Sequence, residues 1–202
     1  MPEHRTIVCM SGIGAAPDEW NAVMPALSAY GPVMTIMPAA GSVILVGHSE
    51  GGVRALRIAA AQPDRVHAVV VASGFFPPAR AGRPLAAAAF DYGRHRLAYV
   101  REVARRDRRP QPTRRGAGQL AALARLGLRP AAFRRLAAAV HCPVLVIHGD
   151  QDHVVPIAFA RAAVAEHPAW TLRELPGAGH NPHRDRPDEW AAAVTEWIGL
   201  PA

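Results

Sequence analysis

The sequence predicts an α/β fold: a compact, mostly parallel sheet of about five to six strands flanked by helices, with a helical insertion. Three observations predict it. Short apolar runs rich in β-branched residues recur along the chain, apolar at consecutive positions as strands buried on both faces are. Helix-patterned segments alternate with them, and residues 43–46, 53–61 and 66–72 make a strand–helix–strand unit. From about Ala79 to Val140 the strand signals stop and the composition turns Ala- and Arg-rich.

Taken in order, Thr6-Ile7-Val8-Cys9-Met10 reads as the first strand and Ser11-Gly12-Ile13-Gly14-Ala15-Ala16 as a small-residue loop after it. Pro17-Asp18-Glu19-Trp20 is expected to open a helix, with proline and acids where a helix start favours them. Trp20, Val23, Met24 and Leu27 then fall at helical spacing and should face the core. Val33-Met34-Thr35-Ile36-Met37 reads as another strand, and only Pro38-Ala39-Ala40-Gly41-Ser42 separates it from the next. Five residues reach at most about 18 Å, whereas a parallel crossover takes roughly a dozen residues. The two strands are therefore not expected to hold ordinary parallel places joined by a normal crossover. Either 33–37 is not a regular strand, or it pairs unusually, or the chain is a deletion. An exposed apolar patch or a homodimer contact is an expected consequence.

Val43-Ile44-Leu45-Val46 leads into Gly47-His48-Ser49-Glu50-Gly51-Gly52 and then a helix from Val53 to Ala61. Strand, sharp turn and helix would put Ser49 at the apex, in a sparsely populated backbone region that requires small neighbours. Gly47 and Gly51 supply the clearance. The Glu50 amide and the helix N-terminus come near any negative charge that develops there. Val66–Ala72 is the next buried strand. Pro143–His148 is another, followed by Gly149-Asp150-Gln151-Asp152-His153, a helix over Ile157–Glu166, and an alternating strand over Trp170–Leu175. The loop Pro176-Gly177-Ala178-Gly179-His180-Asn181 and a closing amphipathic helix, Pro187–Ile198, complete the chain, with Trp190, Val194, Trp197 and Ile198 inward.

The six residues Gly47–Gly52 resemble the nucleophile elbow of the α/β-hydrolase superfamily, in the wording of its esterase-like bacterial members. The order Ser49, Asp152, His180 is that family's triad order. Gly149-x-x-Asp152 and Gly177-Ala178-Gly179-His180 resemble its acid and histidine loops. The resemblance implies an α/β-hydrolase fold that lacks the usual helix before the nucleophile strand. It also implies an oxyanion hole from the Ile13 and Glu50 backbone amides, with Ser11-Gly12 where the family has His-Gly. By position, residues 79–139 resemble the family's cap, leaving 1–78 and 140–202 as the core. Leu97, Tyr99, Val100, Phe90 and Phe133 are candidate pocket residues, with plain helix packing as the rival role. The implied activity is a serine hydrolase cleaving carboxylic esters of small molecules through an acyl-enzyme, with no metal or organic cofactor.

Each triad residue has a rival. Asp150 lies two positions before Asp152 and is otherwise a turn-capping carboxylate. His153 and His183 are near in sequence, and His183 is expected at the surface. His48 adjoins the serine but should point elsewhere and support the elbow. A non-catalytic or weakly active ligand-binding protein of the same fold is the alternative function.

Charge is unevenly placed. All 23 basic residues are Arg, and 15 of them lie between Arg80 and Arg135 against three acids. That stretch could attract nucleic acid or anionic lipid. It has no interleaved aromatics for base stacking and no recognised nucleic-acid motif, so a solvated helical face is expected and no specific nucleic-acid partner. No apolar run is long enough to span a bilayer, and the N-terminus lacks a secretory signal. Cys9 and Cys142 are expected as buried free thiols in a reducing cytoplasm, and no Cys/His spacing resembles a zinc site.

Overall fold

The computed structural model describes residues 5–13, 15, 18–77 and 130–199. Among them lie six strands: β1 (Thr6–Met10), β2 (Val33–Met34), β3 (Val43–His48), β4 (Val66–Ala72), β5 (Val144–Gly149) and β6 (Trp170–Leu175). They form one sheet in the order β2-β1-β3-β4-β5-β6, with every pairing parallel. The described helices are α1 (Met24–Ser28), α2 (Glu50–Ala61), α3 (Pro130–Ala138), α4 (Ile157–Glu166), α5 (Pro182–Asp185) and α6 (Pro187–Ile198).

Alternation along each strand sorts the apolar side chains into two layers. Val8, Leu45, Val69, Val71, Val144 and Val146 meet Val53 and Leu56 of α2, Phe133 and Ala137 of α3, and Ala160 of α4. Ile7, Cys9, Ile44, Val46, Val70, Leu145 and Ile147 meet Leu27 of α1, Trp20 before it, and Trp190 and Val194 of α6. All six residues of β3 and of β5 are buried. Each fully buried aliphatic side chain contributes roughly 1.5–3 kcal/mol, which explains why these runs are unbroken by polar residues until their C-terminal ends.

The helix expected to open at 17–20 starts later. Residues 18–23 are turns, and α1 begins at Met24 with Pro25 in its first turn. A helix running through from residue 18 would put Pro25 in its interior, where it lacks an N–H and clashes with the carbonyl four residues back. Trp20, Val23 and Leu27 are nevertheless buried. Phe133 is also buried, edge-on to Phe76, as a helix-packing residue of α3. The remaining insert, 79–129, with Phe90, Leu97, Tyr99, Val100 and most of the Arg-rich stretch, lies outside the described residues.

The short connection before β3 resolves through topology. The expected strand 33–37 contracts to Val33–Met34, and this strand lies at the sheet edge beside β1, so β1 separates it from β3. Val33 and Met34 pair with Ile7 and Val8, while β3 starts level with Thr6. The chain therefore returns only about 7 Å along the strand direction while crossing two strand spacings, roughly 10 Å. Residues 35–42, which can extend to about 28 Å, cover that path without a helix. Met37 packs against the α2 layer, whereas Met34 and Ile36 are exposed at 40% and 73%. Arg65, just after α2, pins the connection: its guanidinium donates to the carbonyls of Pro38 (2.9 Å) and Gly41 (3.3 Å) and to Oε1 of Gln62 (3.0 Å).

Two stability predictions follow from this packing. Arg65→Ala removes the donors that hold residues 38–41 and should cost about 1 kcal/mol, read as a lower denaturant midpoint with unchanged slope. Gly51→Ala drives a methyl into the Met10 carbonyl oxygen at the end of β1. It should cost about 3 kcal/mol and lower the melting temperature far more than Arg65→Ala.

Candidate active site

The elbow forms where β3 runs into α2. Ser49 sits between them at φ 52° and ψ −115°, a left-handed conformation that a residue with a side chain seldom adopts. Such a residue costs on the order of 1–3 kcal/mol, offset here by the buried elements on either side. A Cβ on Gly47 would lie 2.5 Å from the backbone of Gly51 and Gly52, so the turn closes only with glycine there. The Ser49 amide donates to Ala72 O at the end of β4 (2.8 Å), fastening the apex to the neighbouring strand.

Because the sheet is parallel, the loops after β3, β5 and β6 leave from one edge. Three sequence-predicted side chains meet there. His180 Nε2 lies 3.2 Å from Ser49 Oγ, and His180 Nδ1 lies 2.9 Å from Asp152 Oδ2. The other carboxylate oxygen, Asp152 Oδ1, accepts the Val154 and Val155 amides at 2.8 Å each. The acid and histidine loops are tied together: Gln151 N donates to Ala178 O (2.9 Å), and Asp150 Oδ1 accepts the Gly177 amide (2.7 Å). Asp150 is thus a loop-capping carboxylate, and the nearby His153 is exposed.

The electrostatics favour an ionised acid beside a neutral base. Burial opposes the charge on Asp152, but His180 and His148 outweigh it and hold the carboxyl well below the usual range. Burial pushes His180 below its ordinary value of 6.5, with Asp152 pulling the other way.

The first loop abuts this site. A Cβ on Gly12 would lie 3.2 Å from Ser49 Cβ, which places the turn carrying Ile13 beside the serine. Ser11 Oγ accepts the Trp20 indole N–H at 3.2 Å and so anchors the loop to the segment that follows. Glu50 opens α2, where backbone amides have no intrahelical acceptor. Its buried carboxylate lies 3.6 Å from Arg54.

Several polar residues have roles that sequence reasoning missed. Glu19 is buried, and its Oε1 lies 2.6 Å from His48 Nδ1. His48 Nε2 faces the carbonyl oxygen of His180 at 2.9 Å, an acceptor, so that nitrogen carries a proton. His48 therefore links the turn that carries Glu19, the elbow and the histidine loop. His183, expected at the surface, is fully buried, stacked on Trp20 with centroids 4.5 Å apart, and burial lowers its pKa well below 6.5. Its short helix α5 buries Pro182 and His183 and exposes Arg184 and Asp185, and Asp185 Oδ2 accepts the Gly179 amide at 2.8 Å. Glu19, His48 and His183 are, among the described residues, the group that could hold a metal ion, with ligand atoms all within 4.8 Å of one another. The 2.6 Å separation is a hydrogen-bond distance, shorter than the edge of about 3.3 Å between two ligands on tetrahedral zinc. No signal in the sequence marked Glu19. His148 did carry one: a polar residue ending a fully buried strand must find a partner. Both cysteines are free thiols. Cys9 is buried, and burial, with Glu19 nearby, pushes it up to about 12, leaving it unreactive.

Among the described residues no helix is long and apolar enough to cross a membrane. A search of the curated proteins finds no match. Solved structures match over nearly the whole chain. A monoacylglycerol lipase from Paleococcus ferrophilus is 17% identical, with 98% of this chain and 95% of that chain covered and a TM-score of 0.65. A thermophilic esterase from Thermogutta terrifontis is 20% identical, with 96% and 89% covered and a TM-score of 0.61. A bromoperoxidase from Bacillus anthracis is 18% identical, with 97% and 92% covered and a TM-score of 0.66. At these identities the likeness is one of fold. The sequence profile described as the alpha/beta hydrolase family matches residues 9–193, nearly the full length, and the chain belongs to that family.

Proposed function

We propose that the protein is a serine hydrolase that cleaves carboxylic esters of small molecules through an acyl-enzyme. One observation carries the proposal: the continuous contact from Ser49 Oγ through His180 to Asp152, with separations of 3.2 and 2.9 Å. A serine hydroxyl is a weak nucleophile at neutral pH and needs a base within hydrogen-bond reach. His180 Nε2 is that base. It takes the hydroxyl proton as Oγ attacks the ester carbonyl, and Asp152 fixes the tautomer with the proton on Nδ1 and stabilises the cation that forms.

The attack moves negative charge onto the carbonyl oxygen. The amides of Glu50 and Ile13 are assigned to receive it, each such donor contributing about 2.7–4 kcal/mol in enzymes of this type. Collapse of the tetrahedral species expels the alcohol, which takes the proton from His180. Water, deprotonated in turn by His180, attacks the acyl-enzyme and releases the acid. The bonds broken and formed require no redox partner.

Fluorophosphonate labelling followed by peptide mapping, together with turnover of p-nitrophenyl acetate, tests the proposal. The label should fall on Ser49. Ser49→Ala should lose the label and at least about 10³-fold in kcat while staying folded. Well-folded wild-type protein that neither labels nor turns over would refute the proposal, and saturable ligand binding without turnover would favour a binding role instead. The pH profile is a second check. His180 accepts a proton only when neutral, and burial lowers its pKa, so kcat/KM should fall as pH drops through a midpoint below 6.5. A midpoint above 6.5 would contradict the net effect of burial.

A further inference from the structure

The acid loop holds a histidine that the steps above leave unused. His148 is the penultimate residue of β5, four positions before Asp152, and is fully buried. Its Nε2 lies 2.8 Å from the Val155 carbonyl oxygen and 3.1 Å from Asp152 Oδ2. A carbonyl can only accept, so Nε2 carries a proton that it donates to Val155, with Asp152 Oδ2 lying beside the same N–H. Nδ1 is buried without a hydrogen-bond partner among the described residues. A second proton there would leave an unmatched N–H on a buried cation, which is costly. The Nε2–H tautomer is therefore the one that the contacts of the ring support.

Asp152 thus has three N–H donors on its two oxygens and the Nε2–H of His148 close against Oδ2. Two backbone amides approach Oδ1, while His180 and His148 share Oδ2. We propose that His148 is a positioning residue for the triad: its Nε2–H holds Oδ2 in place and takes up part of the carboxylate's charge, which sets how strongly Asp152 pulls on the His180 proton. The proposal rests on the serine-hydrolase assignment for its catalytic consequence. Its physical basis is that every donor to a carboxylate makes it a weaker base. A weaker Asp152 favours the His180 cation less, so His180 stays neutral, and ready to accept the Ser49 proton, to lower pH. Occupation of Oδ2 from the His148 side also restricts the direction from which the His180 N–H can approach.

The other titratable groups near this pair come from every neighbouring element. His48, at the end of β3, lies with its ring 4.9 Å from His180 and is backed by Glu19. His183 of α5 lies beyond it, 4.9 Å from His48, with Arg184 next to it in sequence. On the β6 side Glu174 pairs in register with His148, and Arg161 of α4 holds its carboxylate through two contacts of 2.7 Å. These groups are common to wild type and His148 variants, so a change on substitution reports the lost donor.

The test is an NMR titration of the His180 ring in full-length wild type, His148→Met and His148→Gln, alongside the pH dependence of kcat/KM on p-nitrophenyl acetate. Methionine fills similar space without a donor, whereas a glutamine Nε2 can stand where the imidazole Nε2 stood. His148→Met should raise the His180 pKa by about half a unit or more, with the acid limb of kcat/KM moving the same way. His148→Gln should return both toward wild type. A merely structural role would lower stability without moving the titration. No shift or a downward shift in His148→Met, or an equal shift in both variants, would overturn the proposal. The ¹⁵N shifts of wild type give a check that needs no variant: His148 should be the Nε2–H tautomer, and finding Nδ1–H would overturn it. Because the titration does not use turnover, the two proposals separate. Wild type that shows the expected titration shifts but no ester cleavage would remove the assigned activity and leave the Asp152–His148 coupling standing.

Discussion

The backbone at Ser49 must hold a left-handed conformation that its side chain disfavours, and the surrounding architecture enforces it. β3 enters the turn locked between β1 and β4, and α2 leaves it over a layer of buried valines and leucines. The turn can close only because Gly47 and Gly51 let strand and helix backbones touch. The strain is small beside the apolar burial that flanks it. The consequence is chemical: the hydroxyl stands clear of its own backbone at the sheet edge where the acid and histidine loops also emerge.

A second constraint is dielectric. Three carboxylates, Glu19, Glu50 and Asp152, are buried near the site; Glu50 lies beside Arg54, and no Arg side chain is bonded to the other two among the described contacts. Glu19 and Asp152 are matched by imidazole instead. Asp152 faces His180 and His148 together with two backbone amides, and Glu19 faces His48 with His183 close by. The two groups differ in reach: Asp152 acts on the His180 ring directly, whereas Glu19 acts through His48 on the carbonyl of the same residue. His180 is thereby held from its ring and from its backbone, by separate elements, in the position from which it reaches Ser49.

Much of this was legible in the sequence because the signals were local. Unbroken β-branched runs marked β1, β3, β4 and β5. A glycine-flanked serine between strand and helix marked the elbow, and two glycine-bearing loops after strands marked Asp152 and His180. The parts that escaped depended on tertiary contact. Nothing near Glu19 in the chain says that it will meet His48, 29 positions on, and His183 looked like a surface residue because its partner Trp20 lies in another loop. The short link to β3 excluded an ordinary parallel crossover but left open whether 33–37 is a regular strand, pairs unusually, or marks a deletion. The interposition of β1, together with a strand only two residues long, removes the need for a crossover helix. Pro25 carried the evidence that α1 starts late, and the acids at 18 and 19 misled because they imitate a helix start.

The covalent intermediate is the most direct object to look for. Protein mixed with p-nitrophenyl acetate, quenched in acid on the millisecond scale and mapped by mass spectrometry, should carry one acetyl group on the peptide containing Ser49. The acetyl should appear in step with the burst of p-nitrophenol and vanish as substrate is exhausted. Steady release of p-nitrophenol with Ser49 unmodified at every time point, while a His180→Gln variant keeps the same rate, would contradict nucleophilic catalysis by this serine.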